Sequence, residues 1–143
     1  MQRKLFIRAA MTLAAAILVQ PLAAQAQAVK LTLGHGAAAG NPRHDASLKF
    51  AEVLKAKSGG RIEVQVAPSG QLGDDAAMVT ALRTGALDMS ANSQGAVAVA
   101  VPEYAAFGMP FLFSEPAQAS KLLDGGPGKE LAHNAAAKGL LGL

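Results

Sequence analysis

The sequence predicts an α/β fold with a mostly parallel sheet that is flanked by helices. Three short segments alternate apolar and polar side chains as strands do, at 30–33, 61–67 and 87–91. Two longer segments with apolar residues at helical spacing, 43–58 and 75–84, lie between them. Strands that alternate with helices in this order are typical of a parallel sheet whose faces are covered.

Both predicted helices have recognisable ends. The apolar residues of the first fall mostly on one stripe, which favours burial against the sheet. They are Ala46, Phe50, Ala51, Val53 and Leu54. Gly59 and Gly60 follow, as is typical of a helix C-terminus. Asp74 or Asp75 caps the second helix by accepting hydrogen bonds from free N–H groups, and Gly85 ends it. Adjacent carboxylates also suit acid–base chemistry, but at a helix start capping is the favoured role.

The C-terminal part of the chain is less regular. Segment 96–101 alternates Ala and Val, so helix and strand both stay open, and 107–113 is the most apolar stretch outside the N-terminus. Ser114 is predicted to cap a further helix, and another helix is expected over 128–138. Segment 139–143 predicts the beginning of a strand.

Residues 1–26 have the three parts of a cleavable signal peptide. Three cationic residues precede an apolar run over 9–19, and small residues then stand at the Ala-x-Ala spacing of a cleavage site. The run has 11 residues, whereas a membrane-spanning helix needs about 20. We expect cleavage after 26 or as late as 28 and no stable membrane insertion afterwards, an uncleaved anchor being the alternative.

Removal of the signal peptide changes the charge of the protein. The whole chain has 13 Lys and Arg against 10 Asp and Glu, and three of the basic residues lie within 1–26. The mature part is therefore neutral overall and has no basic surface for nucleic acid. The chain has no cysteine, so it can form neither disulfides nor the thioether anchor of a lipoprotein. We predict a periplasmic protein.

The residues show no catalytic motif and no metal site. His35, His44 and His133 are far apart and lack the close pairing of zinc ligands, so surface or loop positions are the favoured interpretation. Segment 125–129 (GGPGK) lacks the spacing of a phosphate-binding loop, and Glu130 stands where Ser or Thr would be needed. We interpret this segment as a helix–helix turn and expect no cofactor.

Three loops follow the predicted strands, at 35–42, 68–75 and 92–95, and all have small or polar side chains. Open parallel sheets bind ligands beyond the carboxyl ends of their strands, where such loops leave room and supply backbone N–H donors. These loops are therefore the candidate ligand site. On these residues alone, ordinary connecting loops remain an equal alternative.

Six short motifs occur in a specific order along the mature chain. They are 33–35 (LGH), 50–52 (FAE), 57–64 (KSGGRIEV), 68–75 (PSGQLGDD), 85–89 (GALDM) and 110–113 (PFLF). In this order and spacing the chain resembles the solute-binding proteins of TRAP transporters, of the DctP family. The similarity extends over residues 29–143.

The resemblance implies a type II periplasmic-binding-protein fold, in which two α/β lobes close over a small ligand. It implies a binding protein rather than an enzyme, which captures a small organic acid of dicarboxylate-like chemistry. TRAP permease membrane subunits would then take up that acid by means of an ion gradient. The first lobe's pocket positions correspond here to Gly36, Asp75 and Ser93, with His35 as a neighbouring candidate.

Two departures from the family pattern bear on specificity. Gly36 and Ser93 lack the polar and acidic side chains found there in sialic-acid-binding relatives. The family's carboxylate-binding arginine, which would hold the acid through two hydrogen bonds, belongs to the second lobe. Arg43, Arg61 and Arg83 are expected to be poor substitutes for it.

We therefore expect residues 29–143 to be the first lobe of such a receptor, with the second lobe absent. The apolar stretch 107–113 should then be uncovered and make the fragment prone to aggregation. A second hypothesis is a small exported α/β scaffold or protein-interaction domain. A third is a hydrolase on a similar sheet, and the absence of a nucleophile motif from the sequence counts against it.

Overall fold

A computed structural model describes residues 27–143, so the predicted signal peptide, 1–26, lies outside the described residues. Strands and helices alternate in the first part of the described chain, and helices alone follow. The elements are β1 (Val29–Gly34), α1 (Pro42–Lys57), β2 (Ile62–Ala67), α2 (Asp75–Thr84), β3 (Met89–Ser90), α3 (Gln94–Ala100), a 3₁₀ helix (Pro102–Gly108), α4 (Pro116–Leu123) and α5 (Gly126–Ala137). The first five confirm the predicted order.

The three strands form a parallel sheet in the order β2-β1-β3, which confirms the predicted α/β fold. β1 pairs with β2 along its whole length, from Val29 opposite Ile62 to Gly34 opposite Ala67. β3 is short and pairs only with the last two residues of β1. Since β1 is the central strand, the loop that follows Gly34 leaves the middle of the carboxyl edge, between the other two loops.

Helix α1 packs with a face that only partly matches the predicted stripe. Ser47 is buried, and Ala51 and Leu54 are half-buried one and two turns later. Phe50 and Val53 instead remain 36% and 37% exposed. Ser47 tolerates burial because its hydroxyl donates to the backbone carbonyl one turn earlier. The predicted stripe is therefore rotated toward solvent relative to the real contact face.

A small apolar core joins the sheet to helix α2. Met78 of α2 is completely buried and lies beneath Gly34 at the end of β1. A Cβ at Gly34 would lie 2.7 Å from the Met78 sulfur, so the absence of a side chain there permits this close approach. The buried apolar residues are Leu33, Ala67, Met78, Val79, Leu87, Val101, Leu131 and Ala135.

The ambiguous segment 96–101 is helical up to Ala100, the last residue of α3 (Gln94–Ala100), and Val101 is the C-cap. The apolar segment 107–113 is partly packed, because the rings of Phe107 and Phe113 stack with centroids 6.0 Å apart. Phe111 between them is fully exposed. The predicted uncovered apolar surface is thus present, and Phe111 dominates it.

Two predictions for the C-terminal part are wrong. The N-cap of α4 is Glu115 rather than Ser114, and the Ser114 N–H donates instead to Oε1 of Gln118, 2.9 Å away. Residues 139–143 contain no strand. The Leu140 N–H instead donates to the Ala135 carbonyl in α5, and the sheet of the described residues consists of β1, β2 and β3.

Candidate functional site

The loops after the three strands meet at the carboxyl edge of the sheet. The Gly70 N–H donates to the carbonyl of His35 over 3.0 Å, and the Ser69 N–H donates to the carbonyl of Ala37 over 2.9 Å. These bonds join the first loop to the second. The Ser93 N–H donates to Oδ2 of Asp75 over 2.8 Å and so joins the second loop to the third. The predicted meeting of three loops is confirmed.

Asp75 connects three parts of this edge. Its Oδ2 lies 3.2 Å from Nη1 of Arg43, at the start of α1, and also accepts the hydrogen bond from Ser93. Burial opposes ionisation of the Asp75 carboxyl, but hydrogen bonding from Ser93 and the Arg43 charge together outweigh it and hold its pKa below the ordinary value. Asp75 is therefore an ionised, internally paired carboxylate.

His35 is completely buried and contacts a second histidine. The Ala37 N–H donates to its Nδ1 over 3.2 Å, so that nitrogen is an acceptor and the proton of the neutral ring lies on Nε2. Nε2 lies 3.2 Å from Nδ1 of His44 and donates to it. Burial, with the nearby His44 and Arg43, lowers the pKa of His35. The histidine is thus held neutral, in one tautomer.

Gly36 and Ser93 complete the set of predicted site residues. Gly36 is exposed, and a Cβ there would lie 2.9 Å from Oδ1 of Asp75. Any side chain at this position would press on that carboxylate, so glycine keeps the space above it open. The structure therefore brings His35, Gly36, Asp75 and Ser93 into one cluster. Their contact with a ligand stays a prediction.

Sequence reasoning missed two members of the cluster, Arg43 and His44. Both stand in the first turn of α1, which the sequence already placed directly after the first loop. That position could have identified them as candidate site residues. The expectation that the histidines lie apart is wrong for His35 and His44, whose ring centroids are 5.3 Å apart. The expectation fails because α1 folds back on the loop that follows β1, which brings His44 beside His35. His133 is exposed, as expected.

Of the two adjacent carboxylates only Asp74 caps α2. Its Oδ1 accepts the Ala77 N–H over 2.7 Å, while Asp75 is occupied by Arg43 and Ser93. Within residues 27–143, no group of three or more His, Cys, Asp or Glu side chains could hold a metal ion. Over the same range, every helix is too short or too polar to span a bilayer.

Two grooves lie away from this cluster. One, of about 270 Å³, is mainly apolar and is lined by residues that include Phe107, Leu112, Phe113 and Leu131. The other, of about 390 Å³, lies beside α1 and β2 and includes Lys30, Lys55 and Glu63. Neither includes a residue of the His35, Gly36, Asp75 and Ser93 cluster.

Comparison with protein families identifies the chain. The model of a family described as bacterial extracellular solute-binding protein, family 7 (DctP), matches residues 33–143. The chain belongs to this family. The predicted resemblance is therefore confirmed, and the members of the DctP family are solute-binding transport proteins.

Relatives in the DctP family match most of this chain but are much longer. An uncharacterized protein, y4mM of Sinorhizobium fredii, is 49% identical over 99% of this chain and 26% of its own length. The 2,3-diketo-L-gulonate-binding periplasmic protein YiaO of Escherichia coli is 32% identical over 88% of this chain and 37% of its own.

The fold agrees with a solved structure of the same kind. The sugar acid binding protein DctPAm of Advenella mimigardefordensis, in complex with galactonate, superposes with a TM-score of 0.76 at 34% identity. The match covers 81% of this chain and 37% of that protein. The present chain thus spans between a quarter and two fifths of the length of these DctP relatives.

Proposed function

We propose that this chain is the first, N-terminal lobe of a periplasmic solute-binding subunit of a TRAP-type transport system, which captures a small organic acid. The observation that carries the proposal is the DctP match over residues 33–143, together with the joined loops at the carboxyl edge of its sheet. Residues 29–143 form this lobe, and the second lobe closes over the ligand from the opposite side.

The chemistry of the cluster supports an acid as the ligand. Backbone N–H groups and the start of α1 point positive potential toward the edge, and Arg43 adds a guanidinium there. Relatives named for 2,3-diketo-L-gulonate and galactonate bind organic acids. In the proposed complex, Gly36 provides space for the ligand and His35, Asp75 and Ser93 fix the loops around it.

The proposal has consequences for partners and compartment. The loaded receptor would deliver its acid to TRAP permease membrane subunits, and it would work in the periplasm after removal of residues 1–26. It requires neither catalysis nor a cofactor, since capture and release suffice. Membership of the DctP family favours this function over an exported scaffold or protein-interaction domain.

A ligand panel on the protein from its complete reading frame tests the proposal. Galactonate, 2,3-diketo-L-gulonate, glucuronate and succinate are each added in a thermal-shift assay, with galactose and galactitol as uncharged controls. A ligand that binds only the folded state raises the melting temperature, so at least one acid should do so while the uncharged controls do not. No shift with any acid would overturn the proposal.

A further inference from the structure

We propose that Arg43 contacts an anionic group of the ligand directly, through the edge of its guanidinium formed by Nε and Nη2. Asp75 is then a positioning residue that aims Arg43 rather than a group that touches ligand. This inference rests on the proposed function, because it assigns one lobe's share in binding an acid. The sequence suggested that this lobe has no arginine suited to binding an anion. The inference instead assigns such a contact to Arg43.

The hydrogen bonds of Arg43 leave one edge of its guanidinium free. All of the contacts of its side chain are made by Nη1, which donates to Oδ2 of Asp75 over 3.2 Å and to the Ala91 carbonyl over 3.4 Å, with Oδ1 of Asp75 at 3.5 Å. Among residues 27–143, nothing accepts a hydrogen bond from Nε or Nη2. These two nitrogens form the planar fork that matches a carboxylate through two parallel bonds.

The relative exposure of Arg43 and Asp75 also supports a direct contact between Arg43 and the ligand. The Arg43 side chain is 34% exposed, whereas that of Asp75 is 18% exposed. The carboxylate therefore lies on the inner side of the pair, where Ser93 also holds it. The Arg43 side chain is the more exposed partner, and its Nη1 also donates to the Ala91 carbonyl just after β3. A ligand that approaches the carboxyl edge of the sheet meets donors before it meets the carboxylate.

Arg43 is fixed at its backbone as well as at its side chain. Its N–H donates to Oδ1 of the N-cap Asn41 over 2.9 Å, and its carbonyl accepts the Ser47 hydroxyl over 2.8 Å. With Asp75 and Ala91 holding Nη1, little side-chain freedom remains to be lost on binding. A donor that is already fixed in place binds more tightly for the same contacts, because less conformational entropy is lost.

The alternative is that Arg43 only joins α1 to the other two loops through Asp75. A purely structural role needs the positive charge near Asp75 but no free fork. Lysine can supply that charge, as a point charge without the planar pair of donors. The Arg43→Lys substitution therefore separates the two roles, and Arg43→Gln removes both.

The experiment uses the protein from its complete reading frame and isothermal titration with galactonate, 2,3-diketo-L-gulonate, glucuronate and succinate. For the acid that binds the wild type most tightly, Arg43→Lys and Arg43→Gln should each raise Kd by about tenfold to a hundredfold, as expected for loss of a charge-assisted bond. The matched control is Arg61→Gln. Arg61 is exposed at the amino end of β2, where its Nε donates to the Ser58 carbonyl, and its loss should leave Kd unchanged.

A measurement on the wild-type protein tests the inference even if the Arg43 variants fold poorly. In a ¹⁵N–¹H spectrum of the arginine side chains, the Nε–H resonance of Arg43, assigned by its absence from the Arg43→Lys spectrum or by selective labelling, should shift on addition of the same acid. The Arg61 resonance should stay in place. If Arg43→Lys binds as the wild type does and the Nε–H resonance does not move, Arg43 is structural and this inference fails alone. If no acid binds the wild type, the proposed function fails with it.

Discussion

The two histidines at the strand ends illustrate how one backbone bond fixes the chemistry of a side chain. Because the Ala37 N–H occupies Nδ1 of His35, its proton is confined to Nε2, which in turn donates to His44. A second proton on His35 would have to displace the Ala37 bond. Since the ring is completely buried, protonation also carries a desolvation cost. The first loop is therefore held in place by a neutral ring.

This arrangement predicts that the fold weakens in mild acid. The pKa of His35 lies below its ordinary value of 6.5, so the unfolded chain takes up a proton at a higher pH than the folded one. The stabilisation is full above 6.5 and is lost as pH falls through the folded pKa. Urea unfolding of wild type should give a free energy that declines as the pH falls below about 6.5, the ordinary histidine pKa.

The variant His35→Asn should remove that decline while lowering stability at pH 7 by about 1–3 kcal/mol, because a buried hydrogen-bonded group is lost. His133→Asn is the matched control, since His133 is exposed on α5, and it should keep the wild-type slope. Equal slopes in wild type and His35→Asn would show that another group controls this range. The Asp75 carboxyl does not interfere, because its lowered pKa acts only below its ordinary value of 3.8.

The capping residue of α2 gives a second test at the residue scale. Asp74→Ala removes the acceptor of the Ala77 N–H and should destabilise the protein by about 1 kcal/mol. Asp74→Asn keeps an acceptor in place and should cost only a few tenths of that, and the two are compared by urea denaturation. An equal loss for both variants would mean that the charge, rather than the hydrogen bond, stabilises the helix start.

At the scale of single residues, the sequence predicted which loops carry the site residues better than it predicted the hydrogen bonds and ion pairs that these residues form. The loops that carry His35, Gly36, Asp75 and Ser93 follow from strand order alone. The pairing of Arg43 with Asp75 spans 32 residues, and no local pattern encodes it. Local rules also left the choice between Asp74 and Asp75 as the cap open, because only the tertiary contact with Arg43 withdraws Asp75.

At the scale of the elements, α2 was predicted with its observed bounds, since a cap, a helical stretch and Gly85 all agree. The Gly85 φ of 73° is the left-handed conformation that favours glycine. The segments 96–101 and 139–143 were harder for a physical reason. Alternating Ala and Val is compatible with both a helix and a strand. Which of the two a short apolar segment forms is decided by the neighbours against which it packs.

The turn between α4 and α5 depends on the absence of a side chain at one glycine. A Cβ at Gly128 would overlap the backbone carbonyl of Leu123, whereas a Cβ at Gly126 meets nothing within 4 Å. Gly128→Ala should therefore destabilise the protein by about 1–3 kcal/mol through overpacking. Gly126→Ala, in the same helix, should cost much less, because its Cβ would meet nothing beyond its chain neighbours, of which Pro127 alone restricts the backbone there. Thermal unfolding of both variants measures the difference, and equal melting temperatures would contradict the predicted contact.

At the scale of the whole molecule, the described residues contain a sheet, its helices and a joined set of loops, but only a small core. Several large apolar side chains remain on the surface. The most exposed are Phe111 at 100%, Leu143 at 93%, Val99 and Leu141 at 81%, and Met109 at 60%. In the proposed receptor these side chains would be covered by the second lobe, and DctP relatives are more than twice as long as this chain.

Residues 29–143 expressed alone should therefore self-associate, and Phe111 should contribute most. This residue is fully exposed and also has a φ of +63°, a conformation that is unfavourable for a bulky side chain unless surrounding contacts hold it. Phe111→Ser should shift the species seen by size-exclusion chromatography with light scattering toward monomer. Glu115→Ser, at an exposed polar position just after that segment, where the Glu115 side chain makes no capping hydrogen bond, should leave the distribution unchanged. A sharp wild-type monomer peak with a cooperative melt would mean that this surface needs no partner, and the lobe would then be an independently stable domain.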